Sequence, residues 1–423
     1  MVNVRHCVLI AVSLWIGSPE RFQTPAPPPA AGETGYVHCG ALWDGKSDQL
    51  QRDVVVTING GRITSIGAAA PPQRAGVIDL TSQTCLPGLI DTHTHVLALS
   101  AAEIQQGADK ERAPARTIRG VALARKALEY GFTSIRDLNS MGVDAADADI
   151  SRAIARGLVT GPRMQVSTAA LSVTGMTQVN TCDGADGCRR AVREAVVHGA
   201  NWIKVFADRG VRRLPEGIFE DQPTFTLEEL RAIVDEAHRE GRRVAAHASG
   251  KTSVHLAVEA GVDSIEHGMY IAPEDMDAMA AKGIWYVPSL YLLTKAVFDS
   301  PEQQARSQPG INIIVDTFRR AQRAGLKIAY GTDIGAFEWS VSPAVQLPLM
   351  VQYGFTPLQA LTSATSGAAE LLQTQRDVGT IEAGKFADIV AVAGNPLDDV
   401  SLLQKINFVM KGGVVIRQPP SAR

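Results

Sequence analysis

With 423 residues, 45% hydrophobic and 20% charged, the chain has the composition of a globular protein with room for one large domain and a small companion. Its 41 basic and 44 acidic residues nearly cancel, for a net charge of about −3. No basic patch stands out, which argues against nucleic acid as a partner.

The first 32 residues stand apart. Arg5 precedes an apolar run over 7–17, and a Pro/Ala-rich stretch over 24–32 offers small residues for cleavage. Residues 1–32 are read as a signal peptide with its leader, against a disordered leader or a misassigned start. The apolar run is too short to span a bilayer. The mature protein is therefore expected to be periplasmic or secreted, with no membrane span. Beyond Cys7, four cysteines remain. Cys182 and Cys188 bracket a Gly/Asp-rich loop, where a short disulfide ring and two independent thiols are equally open readings.

Short strands are expected over 36–40, 53–58, 62–66 and 76–80, with Asn59-Gly60-Gly61 as a hairpin turn. The same pattern returns over 389–392 and 408–416, around Gly412-Gly413. Two β-rich ends predict a small β-sandwich domain built from 33–85 and 374–423. Between them, strand-like runs fall at 86–95, 133–138, 163–167, 202–207, 244–248, 264–267, 285–290 and 327–332. Helical patterns at 118–130, 145–156, 189–198, 227–240, 254–260, 273–282 and 311–324 separate most of them, and 357–372 ends the series. Thr226 and Glu229 form a capping box ahead of Leu227, and Gly241 supplies the stop. The expected fold is α/β, a (β/α)8 TIM barrel over 86–373.

Six residues able to hold metal, His93, His95, Lys204, His247, His267 and Asp333, each fall where one of these runs ends. Side chains at the carboxyl ends of parallel barrel strands converge on one mouth. In Asp91-Thr-His93-Thr-His95 the two imidazoles are two residues apart and project to the same side. Lys204 sits inside the apolar run Trp202-Ile-Lys-Val-Phe206, and lysine is almost never buried without a partner. A desolvated lysine loses its charge easily, and its neutral amine can take up carbon dioxide as a carbamate that bridges two cations. The plain alternative is a lysine snorkelling from a strand end. His247 and His267, taken singly, read as hydrogen-bonded structural histidines; at the ends of consecutive strands they read as ligands. Asp333 can bind metal and accept a proton from the attacking water as general base.

On these residues the chain resembles the metal-dependent amidohydrolase superfamily. Leu86-Pro-Gly-Leu-Ile-Asp-Thr-His-Thr-His95 is similar to its first-strand signature, and Gly379-Thr-Ile-Glu-Ala-Gly-Lys-Phe-Ala-Asp388 to the segment returning to the terminal β-sandwich. The segments Pro223–Leu230, Ala246-His247-Ala248 and Gly261–Gly268 are similar to the imidazolonepropionase-like, Xaa-Pro dipeptidase branch. That branch includes carboxypeptidase-like amide hydrolases, some acting on ochratoxin-type aryl amides. The resemblance implies zinc, and a homo-oligomer with an octamer among the expected sizes. It also implies that His93 and His95 hold one metal and His247 and His267 the other, with carboxylated Lys204 bridging and Asp333 on the first.

Two loops depart from the family pattern. Thr174-Gly-Met176-Thr177 stands where many relatives carry Gly-Gly-His, and Asp208-Arg-Gly-Val-Arg-Arg213 follows the fourth strand. Arg209, Arg212 and Arg213 could hold a substrate carboxylate by paired hydrogen bonds, against the plainer reading of solvated loop charge. Met176, His255 and Tyr291 complete the candidate substrate contacts. The expected reaction is hydrolysis of an amide or peptide bond by water held between two divalent cations. Its expected substrate is a dipeptide, Xaa-Pro, an N-acyl amino acid or an ochratoxin-like aryl amide. A one-metal deaminase or cyclic-amide hydrolase lacks the bridging lysine. A lactonase or phosphotriesterase would use the same centre, and a non-catalytic scaffold is expected to have lost ligands that all remain here.

Overall fold

The computed structural model describes residues 34–68, 76–99, 101–176, 180–213, 219–296 and 300–418; the leader expected over 1–32 lies outside them. Four strands open it: β1 (Thr34–Leu42), β2 (Gln51–Asn59), β3 (Arg62–Gly67) and β4 (Val77–Pro87). The alternating middle begins with β5 (Leu89–Thr94), α1 (Ala101–Gln105), α2 (Ala113–Glu129), β6 (Phe132–Asp137), α3 (Ala146–Ala155), β7 (Arg163–Val166), α4 (Gly184–His198) and β8 (Trp202–Phe206). A ribbon of β9 (Asp208–Arg213) and β10 (Phe219–Pro223) follows, then α5 (Leu227–Arg239), β11 (Arg243–Ala248), α6 (Lys251–Ala260), β12 (Ser264–His267), α7 (Pro273–Lys282) and β13 (Trp285–Val287). Helices α8 (Pro301–Arg323), α9 (Gln346–Gln352), α10 (Pro357–Ser363) and α11 (Ser366–Leu371) lead to β14 (Ile389–Val392), β15 (Phe408–Lys411) and β16 (Val414–Arg417).

Strands from both ends of the chain share one seven-stranded sheet, in the order β16-β15-β14-β4-β1-β2-β3. Pairing of Asn59 with Arg62 leaves Gly60-Gly61 as a two-residue turn. Their φ angles of 57° and 80° are left-handed at both positions, which the twist of a tight hairpin demands and glycine meets without strain. One face of this sheet buries Val37, Val56, Leu80, Ile389 and Phe408 together.

Cys39 and Cys85 are disulfide-bonded within that core, a pairing the sequence left unread, and Cys182 is bonded to Cys188 at the head of α4. The two bridges close loops with sequence separations of 46 and 6 residues. Chain entropy then assigns them about 4 and about 2 kcal/mol of stability. Replacing Cys39 and Cys85 together by Ala should therefore cost about twice what the Cys182/Cys188 pair costs, as read by urea denaturation. Equal losses would contradict the loop-length argument.

Strands β5-β6-β7 and β13-β12-β11-β8 form two parallel sheets with helices between consecutive strands. The run expected over 327–332 is assigned no strand, yet it is bonded on both sides. Tyr286 N–H donates to Lys327 O and Ala329 N–H to Tyr286 O, while Thr92 N–H donates to Tyr330 O and Asp333 N–H to His93 O. Leu171 likewise links to β8, its N–H donating to Lys204 O and its O accepting from Phe206 N–H. On the outside, α5 turns Leu230, Ile233, Val234 and Ala237 inward below its Thr226–Glu229 capping box. Fully burying Ile233 alone contributes about 2 kcal/mol or more.

Two expected elements divide. The run over 86–95 splits at Gly88: Leu86 and Pro87 pair with Val390 and Ile389, and β5 begins at Leu89. A Cβ at Gly88 would lie 2.2 Å from Thr133 Oγ1, so the close approach to β6 needs glycine. The helix expected over 357–372 breaks at Thr365, whose φ of −135° and ψ of −99° leave the helical region. Carbonyls there serve the backbone of β5 and of the 327–332 run instead, Ala364 O accepting from Ile90 N–H and Ser363 O from Tyr330 N–H.

Candidate metal centre

The ends of β5, β8, β11 and β12 and the segment ending at Asp333 meet around a cavity of about 310 Å³. All six residues expected to hold metal line it: His93, His95, Lys204, His247, His267 and Asp333. His95 Nε2 lies 3.0 Å from Asp333 Oδ1, His93 Nε2 lies 3.6 Å from the same oxygen, and His267 Nε2 lies 4.0 Å from Oδ2. The ligating atoms of His93, His95 and Asp333 fall within 4.8 Å of one another. The His247 and His267 rings are 4.5 Å apart, and His93 and His267 5.1 Å apart.

Two of the ligand positions are backbone-strained. His267 and Asp333 have φ of 71° and 62°, in the left-handed region that a side chain with Cβ enters at a cost. Each stands at the end of its run, and both side chains line the cavity.

The donor set fits a divalent cation. The Nε2 atoms of His95, His93 and His267 converge on the Asp333 carboxylate at 3.0, 3.6 and 4.0 Å, and its buried Oδ1 has no aligned hydrogen bond. Lone pairs gathered at a point without bonding one another suit an ion. Burial first, then the neighbouring Lys204 charge, holds His93 well below the usual imidazole value, and burial with His247 beside it brings His267 to about 3. Neutral imidazole is the ligating form. Burial pushes the Asp333 carboxyl up, but the imidazoles of His93, His95 and His267 outweigh it and hold the group ionised. Burial also brings the Lys204 amine down to about 8, and among the described residues it forms no hydrogen bond or ion pair.

Behind the ligands stand residues the sequence reading passed over. Glu266 Oε2 lies 2.9 Å from His93 Nδ1, fixing the proton there and leaving Nε2 for the ion. Arg136 donates to the other Glu266 oxygen at 2.7 Å, and both side chains are fully buried. Asp208 Oδ1 lies 3.3 Å from His247 Nε2, so Nδ1 is the His247 nitrogen left for a cation. Burial raises the Asp208 carboxyl, but bonding to His247, Ser249 and Ser253 outweighs it and brings the group to about 2. Arg136 gave a weaker signal than Lys204, because its strand Phe132-Thr-Ser-Ile-Arg-Asp137 mixes polar with apolar residues while Trp202-Ile-Lys-Val-Phe206 is apolar around the lysine.

The expected substrate contacts lie elsewhere; among the described residues none of them lines this cavity. Arg212 is paired with Glu220 across the ribbon at 2.6 Å, and the Arg213 side chain lies outside the described residues. Arg209 is exposed and, among the described residues, its side chain donates to Gly175 O at 3.5 Å. His255 Nδ1 contacts Asp275 at 2.9 Å on the outer side of α6, Met176 is half-buried, and Tyr291 packs edge-on against Phe337. The rest of the cavity wall includes Leu99, Asn139, Met141 and Phe206.

Comparison with known proteins agrees with this geometry. Residues 84–417 match the amidohydrolase family. The chain is 30% identical over 431 aligned residues to the ochratoxinase of Aspergillus niger, covering 90% of this chain and 86% of that protein. A solved Xaa-Pro dipeptidase with methionine bound in its active site is 32% identical, with a TM-score of 0.80 over 91% of this chain and 100% of that one. A solved prolidase complexed with N-methylphosphonate-L-proline is 29% identical, with a TM-score of 0.79 over the same shares of 91% and 100%. With the match running from β4 to β16, the chain belongs to the amidohydrolase family, metal-dependent hydrolases of amide bonds.

Proposed function

We propose that the chain is a binuclear hydrolase that cleaves the amide bond of a dipeptide or N-acyl amino acid, Xaa-Pro dipeptides and ochratoxin-like aryl amides included. One observation carries the reading: four imidazoles, a carboxylate and a buried lysine share one cavity of about 310 Å³. In this reading His93 and His95 hold one cation and His247 and His267 the second. Lys204, carboxylated by carbon dioxide, bridges them, and Asp333 sits on the first. Imidazole and carboxylate ligands suit zinc. Two such cations, when bound, lower the pKa of a water molecule and polarise the scissile carbonyl. Asp333, ionised and with a free Oδ1 lone pair, takes the proton from the attacking water and delivers it to the leaving amine. Arg209, which lies outside the cavity lining and has no carboxylate partner among the described residues, is proposed to meet the free carboxylate of a substrate that extends beyond the cavity.

The same proposal takes the eight parallel runs over 86–373 as a closed (β/α)8 barrel, supported by the hydrogen bonds on both sides of 327–333. It takes 33–85 and 374–423 as one small β-sandwich domain, supported by their pairing in a single sheet. Two disulfides suit an oxidising compartment, which supports export of the mature chain. Assembly as a homo-oligomer follows from family resemblance and is measured by sedimentation.

Metal analysis should find two divalent ions per chain. A chelator should abolish hydrolysis of N-acyl amino acids or dipeptides, and added zinc should restore it. Turnover that survives exhaustive metal removal, or a metal-loaded protein that cleaves lactones or phosphotriesters but no amide, would sink the reading.

A further inference from the structure

We infer that Asn139 is a catalytic residue whose side-chain N–H donates a hydrogen bond to the carbonyl oxygen of the scissile amide, a role that rests on the amide-hydrolase reading above. Apart from the six candidate metal ligands, the described cavity wall consists of Ala98, Leu99, Asn139, Met141, Phe206, Gly335 and Ala336. Asn139 is the one side chain among these able to donate a hydrogen bond. A carbonyl oxygen entering this cavity and gaining charge during water attack meets a side-chain dipole at this position and at none of the other non-ligand positions.

The orientation of the amide follows from its partners. Asn139 Oδ1 accepts from Met141 N–H at 3.1 Å and from Ala170 N–H at 3.4 Å. A backbone N–H can only donate, so the atom facing both is the oxygen, and Nδ2 is left as the outward end with no protein partner among the described residues. The residue is fixed from below as well. Its own N–H bonds to the buried carboxyl of Asp137, which also accepts from Val96 N–H at 2.7 Å and Thr94 Oγ1 at 3.2 Å. A donor held at both ends is already oriented before the reaction, so no reorganisation is needed when charge appears.

The step balances without a further reactant. The water oxygen bonds to the carbonyl carbon, and the carbonyl π pair moves onto oxygen, where the Asn139 N–H meets it. Collapse returns that pair and breaks the C–N bond, and the departing nitrogen takes the proton that Asp333 removed from water. Because the oxygen carries most charge in the transition state, the bond from Asn139 strengthens there and acts on kcat more than on KM.

Two substitutions separate this role from loop support. Asn139→Ala removes the donor and both acceptor contacts. Asn139→Asp keeps an oxygen for the N–H groups of Met141 and Ala170 but cannot donate. Each should lower kcat on the order of 10²–10³-fold, with KM little changed and metal content near wild type. The melting temperature should hold in the Asp variant and fall in the Ala variant, which leaves two backbone N–H groups without their acceptor. If Asn139 only braces its loop, the Asp variant restores activity, which overturns the role and leaves the amide hydrolase standing. Loss of metal in the Ala variant would assign the residue to metal retention and overturn the role equally. A wild-type enzyme that hydrolyses no amide overturns the reading itself, and this role with it.

Discussion

Replacing Lys204 by Ala should remove turnover and lower the bound metal in one stroke. Lys204 lies in the middle of the parallel ladder, opposite Ala245 of β11, with 1% of its surface exposed. A charged ammonium in that position is costly, which is why burial brings its amine down to about 8. The neutral amine is the form that adds carbon dioxide, and the product carries two oxygens toward the cavity. Groups that act as a unit fail together, so a loss of roughly 10⁴-fold or greater in kcat is expected. Stability should move little, since the cost of desolvating the amine outweighs its attraction to Glu266, Asp333 and Asp208, and relief of that cost offsets the cavity left behind. Metal analysis and steady-state kinetics on the same preparation read both losses. A second arm uses the wild-type chain: stripped of metal and reloaded with zinc in carbon-dioxide-free buffer, it should regain activity only when bicarbonate is added. A Lys204→Ala enzyme with full activity, or reloading indifferent to bicarbonate, defeats the carbamate.

Why the ligands could be read from the chain, and their supports could not, has a physical basis. A strand buried on both faces is a continuous apolar run, so a histidine, lysine or aspartate at its end is conspicuous wherever the partner strands are. Lys204 and the pair His93 and His95 stand out on that ground alone. The supports depend on register. Glu266 reaches His93 only because β12, β5 and β6 are brought together around one interior, and its sequence neighbours say nothing of that. Asp208 reads as one more loop charge until β9 is seen turning it under His247. The ribbon of β9 and β10 itself escaped notice because its strands are polar and interrupted. The expected arginine contacts failed to reach the cavity for a related reason: Arg212 finds Glu220 eight residues away across that ribbon. Asn139 carries no signal in sequence, since an asparagine after a strand is usually turn chemistry. Its Oδ1 does perform that turn role, and only the fold shows that the residue also lines the cavity.

Breaking the Arg136–Glu266 pair from one side should be among the most destabilising single changes available to this chain. Arg136 is fully buried on β6 and spends its donors on Thr92 O at 2.6 Å, Ser264 Oγ at 3.2 Å and Glu266 Oε1 at 2.7 Å. Its guanidinium also lies 4.3 Å from the Trp202 ring centre. Arg136→Leu leaves a carboxylate in the interior without its cation, at an expected loss of about 3–5 kcal/mol. Glu266→Leu strands the guanidinium instead and should cost a similar amount. The double variant removes both charges, and replacement of a whole buried pair by apolar side chains is often neutral or better. Its stability should therefore return most of the way toward wild type, a non-additivity that chemical denaturation of the metal-free protein can measure without interference from metal loss. Zinc binding should not return with it. Without Glu266 the His93 Nδ1 proton has no acceptor, the ring is free to turn, and affinity should fall about 10–100-fold in both the double variant and Glu266→Leu. Stability and metal affinity thus separate across the three proteins. If the double variant is as unstable as the two single losses added together, the charges are not coupled. If it binds zinc as tightly as wild type, Glu266 does not orient His93.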